Sequence, residues 1–225
     1  MGQAIGDSLA SAVGVAISPL PIVAVVLMLV SARGRANGPA FVAGWCAGLG
    51  AVGAILLTVA AGIGPTSQGE PATWVDVLQL VLGLLLIAVS ARQWRGRPHD
   101  GAAAPTPKWM GALDRFTPVK AGLAGVVLSA LNPKNLLLAI GGAAAIAQVG
   151  ISTGQQIVSY VVFVAIGSLG VAAPVAIYFA LGERSRPILD GLKGWMARNN
   201  AVVMAVLLLI LGVKNIGNAI SGFSS

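Results

Sequence analysis

Lys134 lies in the middle of an apolar run long enough to cross a bilayer, within Leu131-Asn132-Pro133-Lys134-Asn135. About 13 residues, or roughly 20 Å of helix, separate it from either end of that run. A side chain cannot snorkel that far to an interface. A lysine at the bilayer centre costs about 2.5–3.5 kcal/mol on insertion scales. Something must offset that cost: a carboxylate, carbonyls freed near Pro133, water, or an anionic ligand. Asp7 and Asp76 are the acids nearest in depth, and both lie towards the same end of their runs. A central cation with no carboxylate at its level suits a ligand carrying phosphate, sulfate or carboxylate. It does not suit a cation site, which needs oxygen-rich acidic ligands. The competing reading makes Lys134 structural, pinned by backbone carbonyls.

A second group of residues stands 114 positions earlier, where Ile17-Ser18-Pro19-Leu20-Pro21 interrupts another apolar run. Proline removes a backbone donor and clashes with the carbonyl one turn back, costing about 3 kcal/mol inside a helix. In lipid the freed carbonyls need partners, so such breaks are tolerated only against protein or a polar cavity. The candidate binding residues are therefore Ser18, Pro19, Pro21, Asn132, Pro133, Lys134 and Asn135. The prolines make the breaks, Ser18, Asn132 and Asn135 supply hydrogen bonds, and Lys134 holds the anion. Lys214, followed by Asn215 and Asn218, lies in the outer half of the last run. It reads either as an outer gate with Asp76 or Asp7, or as a lysine snorkelling to the headgroups.

These residues need spanning helices to position them. The 225 residues are 56% hydrophobic and 9% charged, whereas a soluble domain carries about a quarter charged residues. Disorder is excluded by the same balance. A nucleic-acid partner is excluded too: the net charge of +7 is not matched by a polar chain. Six apolar runs emerge, about Ser8–Val30, Pro39–Ile63, Trp74–Ala91, Ala121–Val149, Ile157–Leu181 and Ala201–Ile220. Each spans about 30 Å of hydrocarbon, and none alternates as barrel strands do. The fold class is all-α integral membrane.

Twelve of the 14 basic residues fall in the first, third and fifth connections: Arg33, Arg35, Arg92, Arg95, Arg97, Lys108, Arg115, Lys120, Arg184, Arg186, Lys193 and Arg198. The second and fourth connections hold none. The positive-inside rule makes the basic side cytoplasmic and sends both termini outward. The third connection, with Pro98, Pro105, Pro107 and Pro118, reads as a linker, and Trp109–Phe116 within it as a short interfacial helix. Residues 1–91 and 121–225 then form two three-helix repeats around a cytoplasmic linker, 92–120. An odd number of spans in each half makes the repeats inverted, a plan common among secondary transporters. Gly48-Leu49-Gly50 with Ser168-Leu169-Gly170, and Leu84–Ile87 with Leu207–Ile210, follow the proline pair in the same order. Gly44, Gly48, Gly122, Gly125, Gly167 and Gly170 are expected to let helices approach closely.

With Asn132-Pro133-Lys134 in the fourth of six spans and a proline motif at the matching place in the first, the chain resembles the lysine exporter superfamily. Ile17-Ser18-Pro19-Leu20-Pro21-Ile22 and the chain length look most like its GAP branch, the glycopeptidolipid- and sulfolipid-addressing proteins. The resemblance implies a bacterial inner-membrane protein that moves an envelope lipid or other small solute outward, often as a homodimer. It covers the whole chain in architecture, with the two proline motifs as its specific part.

The function expected is export of an envelope glycolipid or other anionic small molecule, among membrane lipids. Amino-acid export is the alternative, although Ser18-Pro19-Leu20-Pro21 departs from the Gly-Pro motif of the amino-acid exporters. A scaffold recruiting lipid-synthesis partners is the alternative of another class. An enzyme is not expected. Cys46 is the single cysteine, read as a small buried apolar residue, and His99 is the single histidine. Neither a thiol pair nor a His-based hydrolase or metal site can be built from them. No cofactor or metal is expected.

Overall fold

The computed structural model describes residues 1–63, 73–96 and 116–223. His99 and most of the linker expected over 92–120, with nearly all of its Trp109–Phe116 helix, lie outside the described residues, and its two described ends are helical in α4 and α5. Among the described residues the fold is all-helical, without a strand. The helices are α1 (Gly2–Ala16), α2 (Pro19–Val30), α3 (Gly34–Ile63), α4 (Thr73–Arg95), α5 (Pro118–Val126), α6 (Pro133–Gln148), α7 (Thr153–Leu181) and α8 (Ser185–Phe223). A π-helical turn, Val127–Leu131, joins α5 to α6, and a 3₁₀ turn, Gly182–Arg184, joins α7 to α8.

Three helical stretches are long and apolar enough to cross a membrane: Gly34–Val59, Thr153–Met196 and Ala201–Phe223. Two more spans result if each bent helix pair counts as one. The first pair, α1 and α2, bends by 50°, and the second, α5 with its π turn and α6, bends by 62°. The run expected as the third span is helical as α4, but it is not among these five.

The fifth connection, which reads as a basic loop in the sequence, is helical. After the turn at Gly182, with φ 52°, α8 continues for 39 residues. Two of its basic residues stand one turn from acids: Arg186 Nε lies 3.2 Å from Glu183 Oε2, and Lys193 Nζ 3.0 Å from Asp190 Oδ1. Such i,i+3 pairs support a solvated helix face, and this is what the charge density conceals in the sequence.

Packing divides the chain into two compact units, each drawing on both sequence halves. The first contains Met1–Pro65 and Pro105–Met196, the second Thr66–Ala104 and Ala197–Ser225. In the first unit, α3 packs on α5, α6 and α7, and α1 packs on α6 and α7. Its core is lined by Phe41, Trp45, Leu49, Phe163 and Ile146. The expected close approaches occur here. A Cβ at Gly44 would strike the Gly122 carbonyl oxygen, one at Gly125 that of Phe41, and one at Gly48 the Ser129 hydroxyl.

In the second unit, α4 and the C-terminal part of α8 meet through two glycines. A Cβ on Gly83 would lie 2.9 Å from the Gly212 oxygen, and one on Gly212 would lie 2.9 Å from the Gly83 oxygen. Ser90 Oγ donates to the Ala205 carbonyl at 2.6 Å beside this crossing.

Candidate functional site

Both proline motifs break their helices, and the backbone shows why. Pro19 has no N–H to give the Val15 carbonyl. The Ser18 N–H takes that carbonyl instead, at 3.2 Å, and so abandons its regular partner four residues back, Gly14. The Gly14 oxygen is left inside an apolar chain without its helical donor. Lys134 supplies one from the other break: its Nζ donates to Gly14 O at 3.0 Å.

The second break is built by Asn132 and Asn135. Asn132 caps α6, its Oδ1 accepting from the Lys134 N–H at 3.1 Å. Upstream, the π turn pairs residues five apart, which would match the Leu128 carbonyl with Pro133, a residue without an N–H. Asn135 Nδ2 donates to that carbonyl at 2.9 Å. Asn135 is fully buried, and its Oδ1 has no hydrogen-bond partner among the described residues. Replacing Asn135 with Ala leaves the Leu128 carbonyl unpaired, so we expect a loss of about 1–3 kcal/mol. Thermal unfolding of the purified protein checks it, and Asn135→Gln should recover part of the loss.

At the first break, Ser18, Pro19 and Pro21 are buried. Two prolines at the start of α2 remove two of the N–H groups that a helix start leaves unpaired, which lowers the cost of burying that end. The Ser18 hydroxyl makes no capping hydrogen bond. The structure brings Lys134 to the last turn of α1, ahead of Ser18, while α2 packs on α3 and α7.

An ammonium has three N–H donors; Lys134 uses one on Gly14 among the described residues. Two donors therefore remain on Lys134 at the start of α6, where the helix dipole favours negative charge. This arrangement can hold a compact anion. The contact with Gly14 is also the one required by the structural reading of Lys134, and the remaining donors are what a ligand would use.

The residues expected as an outer gate are divided between the units. Asp7 is exposed on α1 in the first. Lys214, half-buried on α8, and Asp76, on α4, belong to the second, and the Asp76 side chain lies outside the described residues. Asn215, next to Lys214, donates to the Leu211 carbonyl at 2.9 Å.

Several polar residues escaped the sequence reading. Ser8 and Ser11 are buried along with Gly14 and Val15, and their three- and four-residue spacing marks one face of a helix. That spacing was the available signal. Ser129, Ser159 and Ser168 are buried on α5–π and α7. Cys46, expected to be buried among apolar groups, is half-buried with its Sγ 3.3 Å from Ser168 Oγ.

The α2–α3 turn, the start of α5 and the start of α8 come together in the first unit. Asn37 Nδ2 donates to the Phe116 carbonyl at 3.0 Å, joining the Arg33–Arg35 end of α3 to the start of α5. Arg35 also shares a cavity with Arg186.

Residues 9–221 match the family model described as Sap, sulfolipid-1-addressing protein. No curated protein and no solved structure matches the chain.

Proposed function

Because the chain belongs to the Sap, sulfolipid-1-addressing protein, family, we propose that it is an inner-membrane secondary exporter that carries an anionic envelope glycolipid outward through the two broken helices. The observation that carries this reading is the Lys134–Gly14 contact. It joins the breaks and leaves an ammonium with two donors to spare among the described residues. Ser18, Asn132 and the prolines hold the backbone open around it, and an ion or proton gradient drives alternation. The chain performs no covalent chemistry and uses no cofactor.

Six spans in two inverted repeats, as in the lysine exporter superfamily and its GAP branch, complete the proposal. Both halves contribute a proline-initiated helix to the first unit, which supports it. The reciprocal Gly83–Gly212 crossing supports it as well, because each glycine faces the other's carbonyl at the same distance, as a local two-fold relation requires. The crossing registers Gly83 with Gly212, not Leu84 with Leu207. The approach of Arg35 to Arg186 at the same cavity supports a cytoplasmic basic face and outward termini. Epitope tags at both termini are therefore expected to be reached by antibody on intact cells; a tag reached only after permeabilisation removes the topology. In this reading Lys214 and Asp76, both in the second unit, form the outer gate, and two copies of the chain work as a homodimer.

An inventory of outer-envelope lipids and secreted metabolites in a deletion strain tests the function. Loss of an anionic glycolipid from the outer envelope, restored by the wild-type gene, is the expected result. A change confined to secreted amino acids would turn the assignment to amino-acid export. A scaffold for lipid-synthesis partners would restore the lipid with Lys134 replaced.

A further inference from the structure

We infer that a second anion site, a loading pocket for the headgroup of an acidic amphiphile, lies at the basic end of the first unit. A cavity of about 300 Å³ opens between the α2–α3 turn and the start of α8. Leu29 and Leu189, both buried, form its apolar floor, Tyr178 and Phe179 its wall, and Arg35 and Arg186 its basic rim. Glu183 lies on the same rim and pairs with Arg186. Arg35 makes no hydrogen bond or ion pair among the described residues, so the pocket presents one uncompensated guanidinium, a group suited to bidentate binding of sulfate or phosphate oxygens.

The occupant follows from what surrounds the mouth. Val30 and Phe179 of its lining are exposed large apolar residues, and Leu181 and Ile188, each adjacent in the chain to a lining residue, are exposed as well. A free inorganic anion has no use for them, whereas the acyl chains of an amphiphile can lie on them while its headgroup enters among the arginines. The volume is at the small end for ligand pockets, enough for a charged headgroup and not for a whole lipid.

Position links this pocket to the broken helices. Helix α2 runs from the break at Pro19 to the cavity at Leu29 and Val30, 12 residues or about 18 Å. Helix α7 follows it from Gly170, beside the α1 terminus, to Tyr178 and Gly182. The same two helices thus bound both places. The later route of the ligand rests on the export reading; its binding at the rim does not.

The test uses the full-length protein in phosphatidylcholine vesicles, with a sulfated galactosylceramide carrying a photoreactive acyl chain as probe. Labelling is expected within 29–35 and 178–189, about tenfold above that by the unsulfated galactosylceramide. Arg35→Gln with Arg186→Gln should abolish the difference, Arg35→Lys should retain part of it, and Lys134→Met should leave it unchanged. Equal labelling by the neutral lipid, or full labelling of the doubly substituted protein, overturns the pocket. Displacement by inorganic sulfate as readily as by unlabelled sulfated lipid overturns the amphiphile as its ligand. Normal outer-envelope lipid with Lys134→Met, labelling intact, would remove export by way of Lys134 and leave this site standing.

Discussion

Replacing Lys134 with Met is expected to leave the protein inserted and folded while reducing appearance of the anionic glycolipid in the outer envelope by about 10- to 100-fold. That range corresponds to the loss of one hydrogen bond to a charged group, about 1.5–3 kcal/mol. The reason folding survives is that two terms oppose each other. Removing a central lysine relieves an insertion cost of about 2.5–3.5 kcal/mol. Removing its contact strands the Gly14 carbonyl, at about 1–3 kcal/mol. Membrane abundance should therefore change little, and the loss should be one of transport. Lys134→Arg keeps the charge and should retain part of the activity. Wild-type lipid levels with Met at position 134 would assign the ammonium to structure alone and favour the scaffold.

The opposite pattern, lost folding, is expected for Gly170→Val. A Cβ at this position runs into the Ala16 carbonyl oxygen at the end of α1. Neither partner can yield, since one is the backbone of α7 and the other the backbone at a helix break. Overpacking of this kind costs about 1–3 kcal/mol, and a backbone collision belongs at the upper end. For a chain of this size that is a fall in Tm of about 5–10 °C, measurable on the detergent-solubilised protein. Gly50→Val is the matched control. Gly50 aligns with Gly170 in the sequence comparison of the halves, yet an added Cβ there meets nothing within 4 Å. Equal Tm values for the two variants would mean that α7 does not press against the α1 terminus.

The contrast between those two glycines shows where the sequence stops being informative. The breaks were legible, because proline has the same effect on any helix in an apolar setting: no donor and a steric clash. Lys134 was legible for a similar reason, as the cost of a charge in hydrocarbon needs no knowledge of neighbours. Its partner was not. Gly14 has no side chain and differs from other glycines only because Ser18 releases its carbonyl, a consequence of hydrogen-bond bookkeeping at the break. The Arg35–Arg186 cavity was hidden because its walls are about 150 positions apart in the chain. The basic segment after Gly182 looked like a loop because composition registers charge and misses the i,i+3 pairing that lets charge ride on a helix. Gly83 and Gly212 went unnoticed among the apolar letters of α4 and α8, since spacing alone does not reveal which glycines face each other.

The π turn at Val127–Leu131 has a consequence for aim. A wider turn accommodates one residue more than an α-turn, and each residue advances an α-helix by about 100° of rotation. Had α5 run on with regular winding, every side chain beyond it would point about a quarter-turn elsewhere around the axis. The inserted residue thus acts as a bearing that sets the azimuth at which the chain arrives at Asn132, where the extended backbone turns it by 62° into α6 and carries Lys134 to α1.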